Sequence, residues 1–260
     1  MPGWRRSRLR LLRSRVSLTL LATAACEGVT GPNIPASLEK VSGDDQSTVA
    51  GTALPQPLVV KVANRSGVPV SGVAVTWAIT AGGGSISLAA GAATDGLGQT
   101  SAVWTLGTAA GDNAVTATAQ GVSGVSFAAT STPDRAAAVR ISRDSLLLPA
   151  LGDTVRLSAS VVDRYNNVIA SAKALWVSSD IEVVSVDSAG LVRAQKNGVA
   201  FVVATSAGNA DTARTRVSQQ VAGLAVSPSL DTISVVGGTL NLSVATFDRN
   251  GYLVVGAPVT

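Results

Sequence analysis

The side chains available for chemistry are few. The chain of 260 residues holds no histidine and one cysteine, Cys26. Neither a Ser-His-Asp nor a Cys-His constellation can form, and the imidazole and thiolate ligands of transition-metal sites are missing. No Gly-x-Ser-x-Gly elbow occurs, and no pair of carboxylates is placed for glycoside chemistry. The polar constellation that stands out is a repeated pair, Asp163-Arg164 and Asp248-Arg249, with a looser relative at Asn64-Arg65. One reading is a ligand or calcium site at a strand end, although the ladder of alternate Asp residues and the bidentate Glu of an EF-hand loop are absent. The other is a turn, in which Asp or Asn before a Gly-like position bonds its own backbone while the adjacent Arg stays in solvent. The residue types fit the turn. Gly82-Gly83-Gly84 lacks the lysine and following helix of a phosphate cradle and reads as an inter-strand loop. Trp77, Trp104 and Trp176 lie among β-branched or small neighbours, which places them in cores rather than on sugar-stacking platforms. The expectation is a chain that is not an enzyme and takes no cofactor or metal.

Charge narrows the partners. The formal net charge is +4, but Arg5, Arg6, Arg8, Arg10, Arg13 and Arg15 all precede the first acidic residue, Glu27. From Cys26 onward fourteen basic residues face sixteen acidic ones, leaving a net charge of −2. No basic face remains to neutralise phosphates, so no nucleic acid is expected. Residues 1–25 instead have the build of an export signal: an arginine-rich start, the apolar residues 16–22, then Thr23-Ala24-Ala25. That apolar stretch is shorter than the roughly 20 residues a membrane-spanning helix needs. The run Leu20-Leu21-Ala22-Thr23-Ala24-Ala25-Cys26 resembles the bacterial lipoprotein signal. The resemblance implies lipidation of Cys26, a membrane as partner through that lipid, and a place in the cell envelope as an outer-membrane lipoprotein or at the cell surface. The alternative is an ordinary signal cleaved near Ala24-Ala25, with Cys26 incidental and the product secreted. A lone cysteine forms no disulfide within its chain, so packing alone holds the exported part together.

The elements that would position these residues are strands. Residues 26–36, with Gly28, Gly31, Pro32 and Pro35, read as a tether. Beyond it, residues 154–161 alternate apolar and polar and predict one strand with Val155, Leu157, Ala159 and Val161 on its buried face. Similar runs recur at 59–62, 73–79, 101–106, 115–119 and 199–204, divided by Gly, Asn, Asp and Ser turns, and no amphipathic helix is evident after residue 26. Shifting the chain by 85 residues aligns 139–169 with 224–254 without a gap, so that Gly152 meets Gly237, Leu157 meets Leu242 and Asp163-Arg164 meets Asp248-Arg249. Arg65 precedes Trp77 by twelve residues, as Arg164 precedes Trp176. A Trp at a fixed distance beyond a turn is the pattern of a core residue on the third strand of an immunoglobulin-like sandwich.

At these residues a resemblance to known families can be stated. Residues 37–132 carry Asn64-Arg65-Ser66-Gly67, Val75-Thr76-Trp77, Thr94-Asp95-Gly96-Leu97-Gly98, Trp104-Thr105-Leu106-Gly107 and Gly111. They resemble the bacterial immunoglobulin-like group 1 domain of the invasin and intimin type. Residues 135–219 are similar to the group 2 domain through Leu175-Trp176, the run from Val186 to Val192, and Gly198 leading to Ala204. Residues 221–260 repeat the start of that second type. The fold this implies is all-β: tandem immunoglobulin-like antiparallel β-sandwiches, the last one truncated. The function it implies is a cell-surface or secreted array acting as a stalk or spacer, or in adhesion. Alternatives are a module that binds a glycan or a surface protein, or the accessory region of an extracellular enzyme cut off after residue 260. Two further expectations are that Trp77 and Trp176 are buried equivalents, and that the last copy stops after about two of its strands, with Leu240, Leu242 and Val244 partly uncovered.

Overall fold

Short runs of alternating Val, Thr and Ala favour extended backbone, because branched side chains pack well on a pleated surface. The computed structural model describes residue 1, residues 33–88 and residues 91–258; residues 2–25 of the expected export signal, Cys26 and most of the expected tether lie outside them. All the regular elements among the described residues are strands. The first sandwich comprises β1 (Ser37–Ser42), β2 (Gln46–Val49), β3 (Leu58–Ala63), β4 (Val75–Ala81), β5 (Gly84–Leu88), β6 (Gln99–Leu106), β7 (Gly111–Ala119) and β8 (Val125–Thr132). They form two four-stranded sheets, β1-β3-β6-β5 and β2-β8-β7-β4. Leu58, Val60, Val62, Trp104, Leu106, Val115 and Phe127 fill the space between them.

The second sandwich comprises β9 (Ala138–Ile141), β10 (Ser145–Leu148), β11 (Thr154–Arg156), β12 (Ala159–Val162), β13 (Leu175–Ser178), β14 (Val184–Val186), β15 (Leu191–Ala194), β16 (Gly198–Ser206) and β17 (Asn209–Val217). One sheet runs β10-β17-β16-β13; facing it are β11-β15-β14 and the pair β12-β9. In each sandwich a short strand lies parallel to the last long one, β2 on β8 and β10 on β17, and the other named pairings are antiparallel. Strands β2, β4, β7 and β8 therefore correspond to β10, β13, β16 and β17. Leu148, Leu157, Val184, Val192, Val202 and Val217 form a separate core.

One strand expectation needs correction. Residues 154–161 are not one strand: β11 pairs with β15, and β12 pairs with β9. At the break the Leu157 N–H donates to Gly190 O and the Ser142 N–H to Ser158 O, so the chain changes partners between the two bonds. Leu157 and Val161 are buried, whereas Val155 and Ala159 are only half-buried. The third copy contributes β18 (Gly223–Ser227) and β19 (Ser243–Phe247), which pair in the register that β9 and β12 use: Val226 faces Val244 as Ile141 faces Ala159. Leu224, Val226, Leu240, Leu242 and Val244 are exposed.

The tryptophans divide by strand position. Trp77 on β4 pairs with Ala117, and Trp176 on β13 pairs with Ala204, so the two occupy equivalent places. Both are half-buried rather than buried, because β4 and β13 are the outermost strands of their sheets and one flank of each ring has no neighbouring strand to cover it. Trp104, on the inner strand β6, is 0% exposed. The Gly82-Gly83-Gly84 loop joins β4 to β5 with φ of 79°, 74° and 101°. A Cβ at Gly82 would run into the Asn113 side chain and one at Gly84 into the Thr105 carbonyl, so this loop is closely packed.

Candidate functional site at the joints between sandwiches

The Asn64, Asp163 and Asp248 turns are one structure built three times. In each, the first residue's N–H donates to the carbonyl four residues on: Asn64 to Val68, Asp163 to Asn167, Asp248 to Tyr252. The fourth position takes positive φ and is Gly67, Asn166 or Gly251, residue types that tolerate the left-handed region. The side-chain Oδ1 of the first residue accepts two backbone N–H bonds, from Ser66 and Val68, from Tyr165 and Asn167, or from Asn250 and Tyr252. Asp95 and Asp187 build the same turn elsewhere.

What separates Asp163 and Asp248 from the rest is the second oxygen. Asp163 is 2% exposed and Asp248 3%. Oδ2 of Asp163 accepts the backbone N–H of Asp134, in the link between the sandwiches, at 3.0 Å, and the Asn167 amide at 2.9 Å. Oδ2 of Asp248 accepts the backbone N–H of Leu151 at 2.9 Å and the side-chain amide of Gln219 at 2.9 Å, both contributed by sandwich two and the segment leaving it. Asp248 thus ties its turn to the preceding sandwich, and Asp163 ties its turn to the link that leaves the preceding one. Only a carboxylate accepts on both sides; an Asn would turn an N–H₂ donor toward donors. Burial alone would raise the Asp163 pKa, but the bonds from Asn167, Asp134 and Tyr165 outweigh it and hold the group at about 2. The Asp248 carboxyl is likewise held below its ordinary value, burial being outweighed by the bonds from Gln219, Leu151, Tyr252 and Asn250.

The neighbouring side chains complete two joints of the same design. In the first, Tyr165 lies over Gly51, and the Asn167 amide donates to Thr108 O while its oxygen accepts from the Ala110 N–H. In the second, Tyr252 lies over Gly152, and the Asn250 amide donates to Leu151 O and to Asp153 Oδ1. Gly51 and Gly152 both have positive φ, 76° and 75°. The aromatic and the amide have exchanged places: tyrosine stands two residues after Asp163 and four after Asp248, with asparagine in the other slot. The arginines also pair backwards, Arg164 with Asp134 at 3.4 Å and Arg249 with Asp153 at 2.7 Å. Asp153 is itself held below the ordinary carboxylate range, burial being outweighed by bonds from Arg249, Asn250 and the Ala150 N–H.

The sequence therefore pointed to the right residues for one of their two roles. Asp163-Arg164 and Asp248-Arg249 do cap their turns, but their arginines are not simply solvated, and each group bridges two sandwiches. Asn64-Arg65 builds the turn without the bridge: Asn64 is half-buried, and Ser66 and Val68 stand where the joints have tyrosine and asparagine. Tyr165, Asn167, Asn250, Tyr252, Gly51, Gly152 and Asp153 were given no role from sequence, Gly152 figuring only in the 85-residue alignment. The available signal was the chain's only two tyrosines, each falling within four residues of a repeated Asp-Arg. Among the described residues no group of three or more His, Cys, Asp or Glu is placed to hold a metal ion. At both joints amide, backbone and guanidinium donors surround the carboxylates instead.

No protein-family model matches the chain, and no curated protein does. Solved structures do. Yersinia pseudotuberculosis InvD is similar at 16% identity and a TM-score of 0.45, over 80% of this chain and 69% of that one. The Escherichia coli adhesin FdeC is similar at 16% identity and a TM-score of 0.37, over 70% and 63%. Invasin, a bacterial integrin-binding protein and the type named by the sequence resemblance, is similar at 19% identity and a TM-score of 0.36, over 85% of this chain and 48% of that one, so the chain spans about half of its length.

Proposed function

We propose that the chain is an exported, non-catalytic spacer of tandem immunoglobulin-like sandwiches, tethered to the cell envelope by a lipid on Cys26, which holds its sandwiches at fixed angles to one another and acts in adhesion. The observation that carries this reading is the repeated joint. Two buried aspartates, each accepting from its own turn and from the segment before it, Asp163 from the link at Asp134 and Asp248 from Leu151 and Gln219, together with the Asn167 bonds to Thr108 and Ala110, tie successive sandwiches with directional bonds where a flexible linker would leave them free. Pulsed electron–electron distance measurements test it, using spin labels on exposed positions Ser126 and Thr212. A narrow distribution in the unaltered chain that broadens in Asp163→Ala is expected; a distribution already broad in the unaltered chain overturns the reading. The tether is tested separately. A fatty-acid analogue should label the chain in its host and not the Cys26→Ala variant.

A glycan-binding module is the second reading, and one observation favours it. The open flank of Trp176 lines a cleft of about 380 Å³ with Arg156, Lys173 and Ser188, an apolar ring beside polar groups of the kind that hold sugars. Glycan-array binding abolished by Trp176→Ala without loss of folding would establish it.

A further inference from the structure

The outer face of the β10-β17-β16-β13 sheet differs from the same face in sandwich one at eight corresponding positions. Aligning the sheets through Trp77–Ala117 and Trp176–Ala204 matches Leu175 to Thr76, Val177 to Ala78, Val203 to Thr116, Phe201 to Ala114 and Val199 to Asp112. On the next two strands Arg214 and Arg216 match Ala128 and Thr130, and Leu147 matches Ser47. Sandwich one thus builds the same sheet with small or polar residues at all eight places, so the fold does not require the large ones. In sandwich two all but the half-buried Val203 are open to solvent: Leu175 is 71% exposed, Val177 57% and Phe201 45%. Residues 254–258 stand across a cleft of about 760 Å³ from Val199, Arg214 and Arg216 at one end of this face, leaving Leu175, Val177 and Phe201 outside it. A contiguous apolar face on a sheet that could be polar marks a contact surface.

The geometry points to a second copy of this chain as the occupant, packed face to face about a two-fold axis parallel to the strands. The two halves of the face are complementary. Strands β13 and β16 bring Leu175, Val177, Phe201 and Val203; β17 brings Arg214 and Arg216, neither in an ion pair among the described residues. Phe201 and Arg214 are register partners. An axis along the strands lays β16 of one copy on β17 of the other, which stacks each Arg214 guanidinium on the other copy's Phe201 ring. An axis across the strands would instead set β17 on β17, arginine against arginine. The favoured operation keeps both chains running in the same direction, as two copies displayed from one surface would. The packing of this face is independent of the spacer reading; only the gain from display on one surface rests on it.

The face measures about 19 by 17 Å, from four strands about 4.8 Å apart and about five residues of roughly 3.3 Å each. That is small beside the ~800 Å² per partner of a standard interface, so the dimer is a weak one and gains from crowding on a surface. Residues 34–260, a compact unit by themselves that omits Cys26, are the sample for sedimentation equilibrium from about 1 μM to 1 mM. A reversible dimer is expected. The double variant Val177→Thr/Phe201→Thr, which keeps strand-forming residues, and the separate variant Arg214→Glu should each weaken it about tenfold with an unchanged melting temperature. Thr116→Val, on the matching face of sandwich one, should not. A monomer throughout the range overturns the inference. So does a dimer that survives Phe201→Thr and is lost in Leu224→Ser/Leu242→Ser, which would place self-association in the third copy.

Discussion

At the scale of single residues, Asp163 does two jobs with two oxygens, and its replacement should show both. Asp163→Ala leaves the Asp134, Tyr165 and Asn167 N–H groups without their acceptor, a loss of about 3 kcal/mol at an otherwise buried site. Denaturant unfolding of sandwich two measures it. Asp163→Asn keeps Oδ1 and should cost less. The same bonds set a pH dependence. With the folded carboxyl held at about 2 against an ordinary 3.8, the unfolded chain binds its proton first as acid is added. The contribution of Asp163 is then complete above about pH 4 and fades as the pH falls through about 2. Acid titration of unaltered and Asp163→Ala chains should converge across that window. The tryptophans separate by coverage. Trp104→Ala, at 0% exposure, should cost about 3–5 kcal/mol, and Trp176→Ala, on an outer strand, about half of that. Equal losses would mean that the outer strand is covered in solution.

Elements explain why these residues can act. The turn, Asn-Arg in the first copy and Asp-Arg in the other two, is closed by an isolated bridge between residues six positions apart, Ala63 to Pro69, Val162 to Val168 and Phe247 to Leu253. A constant turn can be fitted to a variable pole. The two joints fill the same space with tyrosine and asparagine in opposite order, which a rigid turn with two outward positions allows. The receiving loop is less forgiving. Gly51 has φ of 76°, and a Cβ there would stand 2.8 Å from the Tyr165 hydroxyl. Gly51→Ala should cost sandwich one about 1–2 kcal/mol through backbone strain, and it should displace Tyr165. Adding Tyr165→Ala should relieve the clash and leave the strain. A double-mutant cycle showing no coupling would mean that the ring does not rest on this glycine in solution.

At the scale of the molecule, sandwiches one and two each have a closed core, whereas the third copy exposes Leu224, Val226, Leu242 and Val244 around a single two-stranded ladder. An isolated ladder is marginal in water. Limited proteolysis of this chain should therefore cut beyond about residue 221 first and leave residues 37–219 resistant. The joint at Asp248 protects only the turn, so cleavage should begin in the 228–242 segment, where no strand forms. Early cleavage at the first joint, near Asp134, would contradict a bonded junction there.

Local order in this protein is written in short-range patterns. Period-two alternation marked the strands at 59–62, 101–106 and 199–204, and Asp or Asn followed by a residue tolerant of positive φ marked the turns, because strand faces and turn bonds depend on residues within a few positions of one another. The 85-residue repeat is matched in the structure by β18 meeting β19 in the register of β9 on β12. Tertiary structure decided the rest. The alternation through 154–161 could not show that Thr154 and Ala159 would find different partners, nor that Trp77 and Trp176 would lie on outer strands. The second oxygen of Asp163 meets Asp134, 29 positions away, and that of Asp248 meets Leu151, 97 positions away. No local pattern records such a contact, because a buried carboxylate and a solvated one have the same sequence until a second sandwich is placed against it.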